Sequence, residues 1–200
     1  MDFNTSETKL NLMRAFAGES QARNRYTFAA EQAKSQKLYV VSYLFQFTAE
    51  QEKAHAKVFY EFLKDVAGTT IKIDGGYPVD INQDTAKLLR MAEHNEFEEN
   101  VDVYPNFAEI AKKEGFTIIA NKFLMIADIE KTHGERFGKF AQLMEEDKLF
   151  EGENEETQWV CLNCGYVHKG KSAPKTCPVC GYEQGHFIRK DIAPFFICQK

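Results

Sequence analysis

Five glutamates and two histidines occupy helix positions that an apolar core would normally fill. Four stretches of the sequence carry apolar residues at three- and four-residue steps, and each places one or two of these polar residues near its middle. Buried carboxylates lose their hydration at a high free-energy cost, and these positions hold no matching set of Lys or Arg. Metal cations are the simplest source of the missing positive charge. The residues are Glu19, Glu52, His55, Glu96, Glu99, Glu130 and His133.

Two Glu-x-x-His pairs stand out within this set. Glu52 precedes His55 by three residues, and Glu130 precedes His133 by three. Side chains three residues apart on a helix point to one face, so both members of a pair can reach one centre. Two such pairs, with one Glu from each of the other two helices, form the ligand pattern of di-iron and di-manganese carboxylate bundles. A coincidental polar core is the alternative.

The spacing also suggests which ligand serves which metal. Glu52 and Glu130 are the natural bridges between two metals, because each has a histidine three residues later. One metal then takes Glu19 with the first histidine, and the other takes Glu96 with the second. Glu99 is a seventh possible ligand, in competition with the first histidine. Carboxylates with imidazole suit iron or manganese better than copper or structural zinc.

The cysteines form a second constellation near the C-terminus. Cys161 and Cys164 make one Cys-x-x-Cys, Cys177 and Cys180 make another, and each is followed by Gly. Two such motifs predict a tetrahedral four-thiolate metal site. A zinc ribbon and paired disulfides are the alternatives. We favour iron, because a neighbouring di-iron centre needs a one-electron donor, a role that redox-silent zinc cannot fill.

The elements that must position these residues are four long helices. The connection between the second and third, residues 68–78, is long, whereas the other two connections are short. Short, long, short is the pattern of a ferritin-like four-helix bundle with one crossover, so a mainly α fold is expected. The predicted helices span residues 6–34, 38–66, 83–113 and 116–148.

Composition divides the chain in two and excludes several classes. The formal net charge of −5 falls within residues 1–150, since residues 151–200 carry six basic and six acidic side chains. No basic patch suggests nucleic-acid binding, and no apolar run suggests a membrane span or a signal peptide. We expect a bundle over residues 1–150, an acidic linker over 151–157 and a small metal-binding domain over 158–200.

The chain resembles the rubrerythrins, in which a ferritin-like di-iron domain precedes a rubredoxin-like domain. The resemblance covers nearly the whole chain. The motifs that carry it are residues 16–26, Glu52-Lys-Ala-His55, Tyr104-Pro-Asn-Phe-Ala108, Glu130-Lys-Thr-His133, residues 161–168 and residues 173–180.

The resemblance implies an oxidative-stress enzyme that reduces hydrogen peroxide to water in the cytoplasm. Its cofactors would be a carboxylate-bridged di-iron site and one iron held by four cysteines. Electrons would come from NAD(P)H through a separate reductase or rubredoxin, and the chain would form a homodimer or larger homo-oligomer. The resemblance makes Glu96 and Glu99 ligands and lets one iron exchange His55 for Glu99. Tyr26 and Tyr104 would hydrogen-bond ligand carboxylates; aromatic core packing is their alternative.

Other functions and a few residues stay open at this point. A ferroxidase or iron-handling protein is the main alternative, although pure storage needs no dedicated electron donor. A zinc-ribbon interaction module fused to a structural bundle is the third. His168 could lie near the di-iron site or on the surface, and His94 and His186 are expected to be exposed. Cys198 is expected to be a spare thiol.

Overall fold

The structure, a computed structural model, describes residues 1–193, so Cys198 lies outside the described residues. It confirms the mainly α, ferritin-like bundle followed by a small sheet. Within residues 1–193, no helix is both long and apolar enough to cross a lipid bilayer. The helices are α1 (Glu7–Ser35), α2 (Tyr39–Glu61), α3 (Thr85–Glu98), α4 (Tyr104–Lys113) and α5 (Thr117–Glu145).

The third predicted helix is interrupted by a π-helical turn. Helix α3 ends at Glu98, the π turn spans Glu99–Val103, and α4 follows directly. The side-chain amide of Asn100 donates to the carbonyl of Ala127 at 2.7 Å, which ties the turn to α5. The prediction of a single α-helix over residues 83–113 was therefore wrong at this one turn.

The helix ends follow local chemistry. The Ser6 hydroxyl accepts a hydrogen bond from the Lys9 amide at the start of α1, as an N-cap does. The α1–α2 turn places Lys37 at a positive φ of 61°. Helix α2 ends at Glu61, earlier than the predicted residue 66, because the chain turns there and buries Leu63 in the end of the bundle.

The apolar core of the bundle consists of two separate clusters. One contains Tyr26, Phe45 and Phe137 with their neighbours, and the other contains Tyr104 and Phe123 with theirs. The predicted metal ligands belong to neither cluster. The polar residues therefore form a layer across the middle of the bundle, with apolar packing on both sides.

The crossover between α2 and α3 is irregular, and ion pairs fix it to the bundle at two points. Arg14 binds the carboxylate of Asp74, with Nη2 and Oδ1 2.6 Å apart. Arg25 forms an ion pair with Asp80, whose carboxylate also accepts from the Asn95 amide at 2.8 Å. These contacts hold the crossover beside α1 and α3.

The small domain contains a three-stranded antiparallel sheet. Its strands are β1 (Gln158–Cys161), β2 (Val167–Lys169) and β3 (Phe187–Arg189), in the order β2-β1-β3. The predicted linker is bonded to this domain, since the Gly152 amide donates to the Lys171 carbonyl at 2.6 Å. The segment therefore has defined contacts along part of its length.

Candidate metal centres

Six predicted ligands meet in one buried layer, which we call the carboxylate layer. Helix α1 contributes one, α2 two and α5 two, all near the middle of their helices, and α3 contributes one from its last turn. None is more than 7% exposed. The residues are Glu19, Glu52, His55, Glu96, Glu130 and His133.

The layer contains two groups of ligand atoms that share two glutamates. Within each group all the atoms lie within 4.8 Å of one another. Glu52 and Glu130 belong to both groups; Glu19 and His55 complete one, and Glu96 and His133 complete the other. These are the groupings that the Glu-x-x-His spacing predicts.

Glu130 faces both histidines. Its Oε1 lies 2.9 Å from Nδ1 of His55, and its Oε2 lies 2.9 Å from Nδ1 of His133. Glu52 also faces both histidines, but at unequal distances: one oxygen lies 3.3 Å from Nδ1 of His55 and the other lies 2.9 Å from Nδ1 of His133. A carboxylate that presents one oxygen to each side can bridge two cations.

The layer also contains buried polar atoms without hydrogen-bond partners among the described residues. Such atoms are rare in native proteins because each costs about 1–3 kcal/mol. Here they concentrate where the two groups converge, and they are the atoms that a metal would bind. They are Oε2 of Glu19 and Glu96, both carboxylate oxygens of Glu52 and Glu130, and Nδ1 of His55 and His133; Nε2 of His133 also lacks a partner. The donor set therefore fits two hard or borderline cations.

Burial and mutual contacts set the charges in the layer. Burial and the charge of Glu130 raise the pKa of Glu19 well above its usual value, and burial and the charge of Glu52 raise that of Glu96 to about 8. Burial opposes a charge on His133, but contacts with Glu130 and Glu52 raise its pKa to about 12. Metal binding must therefore displace protons from the layer.

Two tyrosine hydroxyls support glutamates of the layer from opposite apolar clusters. Tyr26 donates to Oε1 of Glu96, and Tyr104 donates to Oε1 of Glu19. Burial first, and then the neighbouring carboxylate charges, raise the pKa of both phenols well above the usual value. Both hydroxyls therefore stay protonated and can donate.

Glu99 lies outside both groups of ligand atoms, at the start of the π turn. It is half-buried and lines a cavity of about 330 Å³ together with Tyr104, Gly18 and Tyr77 of the crossover. Burial and the charge of Glu19 raise its pKa well above the usual value. Glu99 therefore stands between the layer and a cavity, on the side of Glu19.

The four cysteines also converge. The Sγ atoms of Cys161 and Cys180 are 3.7 Å apart, as are those of Cys164 and Cys177. A tetrahedron with metal–sulfur distances of about 2.3 Å has sulfur–sulfur edges of about 3.8 Å. A disulfide needs about 2.05 Å. All four cysteines are free, so paired disulfides were the wrong alternative.

The backbone around the cysteines repeats one turn twice. The amide of Cys161 donates to the Tyr166 carbonyl at 2.9 Å, and that of Cys177 donates to the Tyr182 carbonyl at 2.8 Å. The glycine after each motif has a positive φ, 78° in one and 74° in the other, which favours glycine. Two matching turns thus present four thiols to one point, the four-cysteine centre.

The remaining histidines lie away from the carboxylate layer's ligand groups. His94 is exposed, as predicted. His168 is half-buried on β2, opposite Trp159 in the sheet. The prediction that His186 is exposed was wrong, because its ring is 6% exposed and stacks on Tyr39 of α2.

Sequence reasoning missed two positions, Asn100 and His186. Asn100 fixes the π turn to α5, and His186 lies between the small domain and the bundle. Neither position belongs to a periodic pattern, since one is in a π turn and the other in a short 3-10 turn. Only the Gly-His sequence after the second cysteine pair could have drawn attention to His186.

Comparisons with known proteins agree with this geometry. Residues 11–141 match the rubrerythrin family model, and residues 159–188 match the model of the rubrerythrin rubredoxin-like domain. The chain is 43% identical to rubrerythrin of Clostridium perfringens over 91% of this chain and 93% of that protein. It is 46% identical to rubrerythrin of Porphyromonas gingivalis over 91% and 89%.

A solved structure shows the same similarity. Nigerythrin in its fully reduced, all-ferrous state matches with a TM-score of 0.61 and 26% identity, over 92% of this chain and 90% of that one. Together, the ligand geometry and the family models assign two irons to the carboxylate layer and one iron to the four-cysteine centre. The chain belongs to the rubrerythrin family.

Proposed function

We propose that this protein reduces hydrogen peroxide to water at the carboxylate layer, using electrons that pass through the four-cysteine centre. The observation that carries the proposal is the presence of two kinds of metal site in one chain. A two-metal carboxylate site alone would suit ferroxidation. A dedicated one-electron site in the same chain supports a reaction that consumes electrons, which peroxide reduction does.

The reaction takes hydrogen peroxide, two electrons and two protons to two molecules of water. When bound, two ferrous ions side by side would supply one electron each and polarise both peroxide oxygens. The residues of the chain would bind the two metals and donate the protons that the reaction consumes. Glu52 and Glu130 would be shared by the two metals, Glu19 with His55 would hold one metal, and Glu96 with His133 would hold the other.

Glu99 is the proposed proton carrier. Burial and the charge of Glu19 raise the pKa of its carboxyl, which favours the protonated form, and Glu99 lines the cavity beside Tyr104. Its position on the side of Glu19 supports the exchange with His55, because both would address the same metal. Tyr26 and Tyr104 orient Glu96 and Glu19 through their hydroxyls.

The small domain sits beside the α1–α2 turn, away from the layer. From Tyr39 to Glu52, helix α2 advances about 20 Å, at about 1.5 Å per residue. Electron tunnelling weakens exponentially with distance, so this separation supports delivery to the carboxylate layer of another subunit in a homodimer or larger oligomer. Analytical ultracentrifugation that finds only monomer in an active preparation would exclude that route.

The proposed external donor is rubredoxin or an NAD(P)H-dependent reductase, and the proposed location is the cytoplasm. Both follow from the family rather than from a contact in this chain. A reconstituted chain of NAD(P)H, reductase and this protein should consume hydrogen peroxide and oxidise the nucleotide in equal amounts. Nucleotide oxidation that ignores added peroxide would contradict this donor scheme.

A stopped-flow experiment tests the proposed reaction. The reduced, iron-loaded protein is mixed with hydrogen peroxide or with oxygen, and the ferric-thiolate colour of the four-cysteine centre is followed. We expect colour to return faster with peroxide. Equal or faster return with oxygen would favour a ferroxidase. In a Cys164→Ser control the colour should be lost, while the carboxylate irons still oxidise in a single turnover.

A further inference from the structure

The small domain contacts its own bundle through a short 3-10 turn at Gln184–His186. The ring of His186 stacks on Tyr39 near the start of α2, with centroids 3.9 Å apart and planes 13° from parallel. Tyr182 packs edge-on against the same ring at 4.8 Å. Although it lies in a short surface turn, the His186 ring is almost fully buried by these two aromatic side chains and their neighbours.

The residue before His186 has no room for a side chain. A Cβ atom on Gly185 would stand 1.9 Å from the carbonyl oxygen of Lys37. That obstacle is backbone, and Lys37 is itself held at a positive φ of 61° in the α1–α2 turn. A substitution at Gly185 therefore has to push the two parts of the chain apart.

The same turn is hydrogen-bonded to the first cysteine motif and packs against a residue that follows the second. The carbonyl of His186 accepts a hydrogen bond at 2.9 Å from the amide of Leu162, which lies between Cys161 and Cys164. Tyr182, two residues after Cys180, contacts the His186 ring directly. A movement of His186 would therefore move both halves of the four-cysteine centre.

Apolar packing continues the contact across the domain boundary. Val160 of β1 and Ile188 of β3 belong to the same buried cluster as Ala33 of α1 and Val40 of α2. The exposed ion pair between Lys37 and Glu183, at 2.7 Å, lies at the edge of this contact. An exposed pair of this kind contributes little, so the rings and the glycine determine the fit.

We propose that His186 is a positioning residue, which together with Gly185 fixes the four-cysteine centre on the α1–α2 turn of its own chain. Its ring stack sets the orientation of the small domain, and its carbonyl transmits that orientation to the cysteine motifs. The consequence for electron delivery rests on the proposed function. The fixed placement itself rests on the contacts alone.

Four variants of the iron-loaded full-length protein test this proposal. Gly185→Ala separates the surfaces, His186→Ala removes the ring, and His186→Phe keeps a ring that can stack. Glu183→Gln is the matched control, because it changes the same turn but only an exposed ion pair. Iron content and the visible spectrum of the four-cysteine centre are measured first, to show that the centre is intact in each variant.

Two readouts follow. Hydrogen exchange at the Leu162 amide reports how firmly the His186 carbonyl holds the first cysteine motif. The rate at which peroxide restores the colour of the four-cysteine centre reports electron delivery. For Gly185→Ala and His186→Ala we expect faster exchange and colour return slowed by up to about 100-fold, the loss that a misplacement of roughly 1 Å can cause. His186→Phe and Glu183→Gln should match the unchanged protein in both readouts.

The outcomes separate cleanly. Unchanged exchange and an unchanged rate in Gly185→Ala and His186→Ala would overturn the proposal. Faster exchange with an unchanged rate would overturn the positioning role. A His186→Phe variant as slow as His186→Ala would overturn the ring stack as the cause. If peroxide restores no colour even in the unchanged protein, the proposed function fails, and exchange at Leu162 still decides whether the His186 ring stack holds the first cysteine motif in place.

Discussion

The two tyrosines of the carboxylate layer donate to different glutamates, so their contributions can be separated residue by residue. Tyr26 supports Glu96 on one side of the layer, and Tyr104 supports Glu19 on the other. Each hydroxyl satisfies one carboxylate oxygen and leaves the other oxygen of that glutamate without a partner among the described residues. The free oxygen is then the one presented to a metal.

Tyr104→Phe should weaken metal binding at the side of Glu19. The substitution keeps the aromatic packing but removes the donor, and partners of metal ligands are commonly worth about 10–100-fold in affinity or activity. The measurement is the rate of iron loss to a chelator together with peroxide turnover. Tyr60→Phe, at a tyrosine that is 57% exposed, is the control. Equal iron retention in both variants would show that the Tyr104 hydroxyl does not support the site.

Glu99→Ala should keep some iron but lose most of the peroxide turnover. The six residues of the layer stay in place, whereas the carboxyl beside the cavity is removed. Loss of a general acid commonly slows a reaction about 10²–10⁴-fold. Iron analysis and steady-state turnover measure the two effects, and Glu109→Ala on an exposed face of α4 is the control. Unchanged turnover in the iron-loaded Glu99→Ala protein would exclude Glu99 as the proton carrier.

At the scale of the helices, the π turn solves a problem of register. Glu96 and Tyr104 both face the interior, eight residues apart. Two α-helical turns take about 7.2 residues, so in a regular helix Tyr104 would point about 80° away from Glu96. A π turn accommodates about one extra residue and restores the common direction. It also places Glu99 where the helix widens, beside the cavity.

Deletion of Val101 should convert this segment into a regular helix. Val101 is 70% exposed, so its removal takes no side chain from the core. The tyrosine and the rest of α4 should keep their inward direction, whereas Glu99 loses the π geometry. We expect a folded protein whose peroxide turnover is reduced about as much as in Glu99→Ala. Combining the Val101 deletion with Glu99→Ala should reduce turnover little further. Circular dichroism and turnover measure this, and a deletion variant with full activity would show that the π turn is dispensable.

The elements show which features sequence periodicity can predict. The helices and the six residues of the layer follow from three- and four-residue steps, because a buried helix face repeats with that period. The π turn adds one residue without breaking the apolar pattern, so 83–113 reads as one helix. Glu99 could be placed on the helix face, but its distance from the ligand groups depends on a turn that has no sequence signal.

At the scale of the whole molecule, two features of the sequence divide the chain into two domains, and a contact through Gly185 and His186 holds the two domains together. Charge and cysteine placement by themselves separate the bundle from the small domain. The contact between them depends on Gly185 against the Lys37 carbonyl and on His186 against Tyr39. Such contacts join residues far apart in sequence and have no repeat, which is why His186 was expected to be exposed.

Acid should weaken this contact through His186. Burial lowers the pKa of the His186 ring, and the charge of Glu183 opposes this only in part. A histidine with a lowered pKa in the folded state binds its proton more readily when the contact opens, so stability falls as the pH falls through the unfolded value of about 6.5. The charged or titratable groups around the ring are Lys37, Tyr39, Tyr43, Tyr182 and Glu183.

The phenylalanine variant isolates this effect from every other titrating group. The unfolding free energies of the unchanged protein and of His186→Phe are compared at constant iron content, from about pH 8 to about pH 5.5, a range that spans the ordinary histidine pKa. We expect His186→Phe to gain relative stability as the pH falls, because phenylalanine has no proton to bind. One proton limits the slope of this difference to about 1.4 kcal/mol per pH unit. A difference that stays constant with pH would show that the His186 ring is not held neutral by its burial against α2.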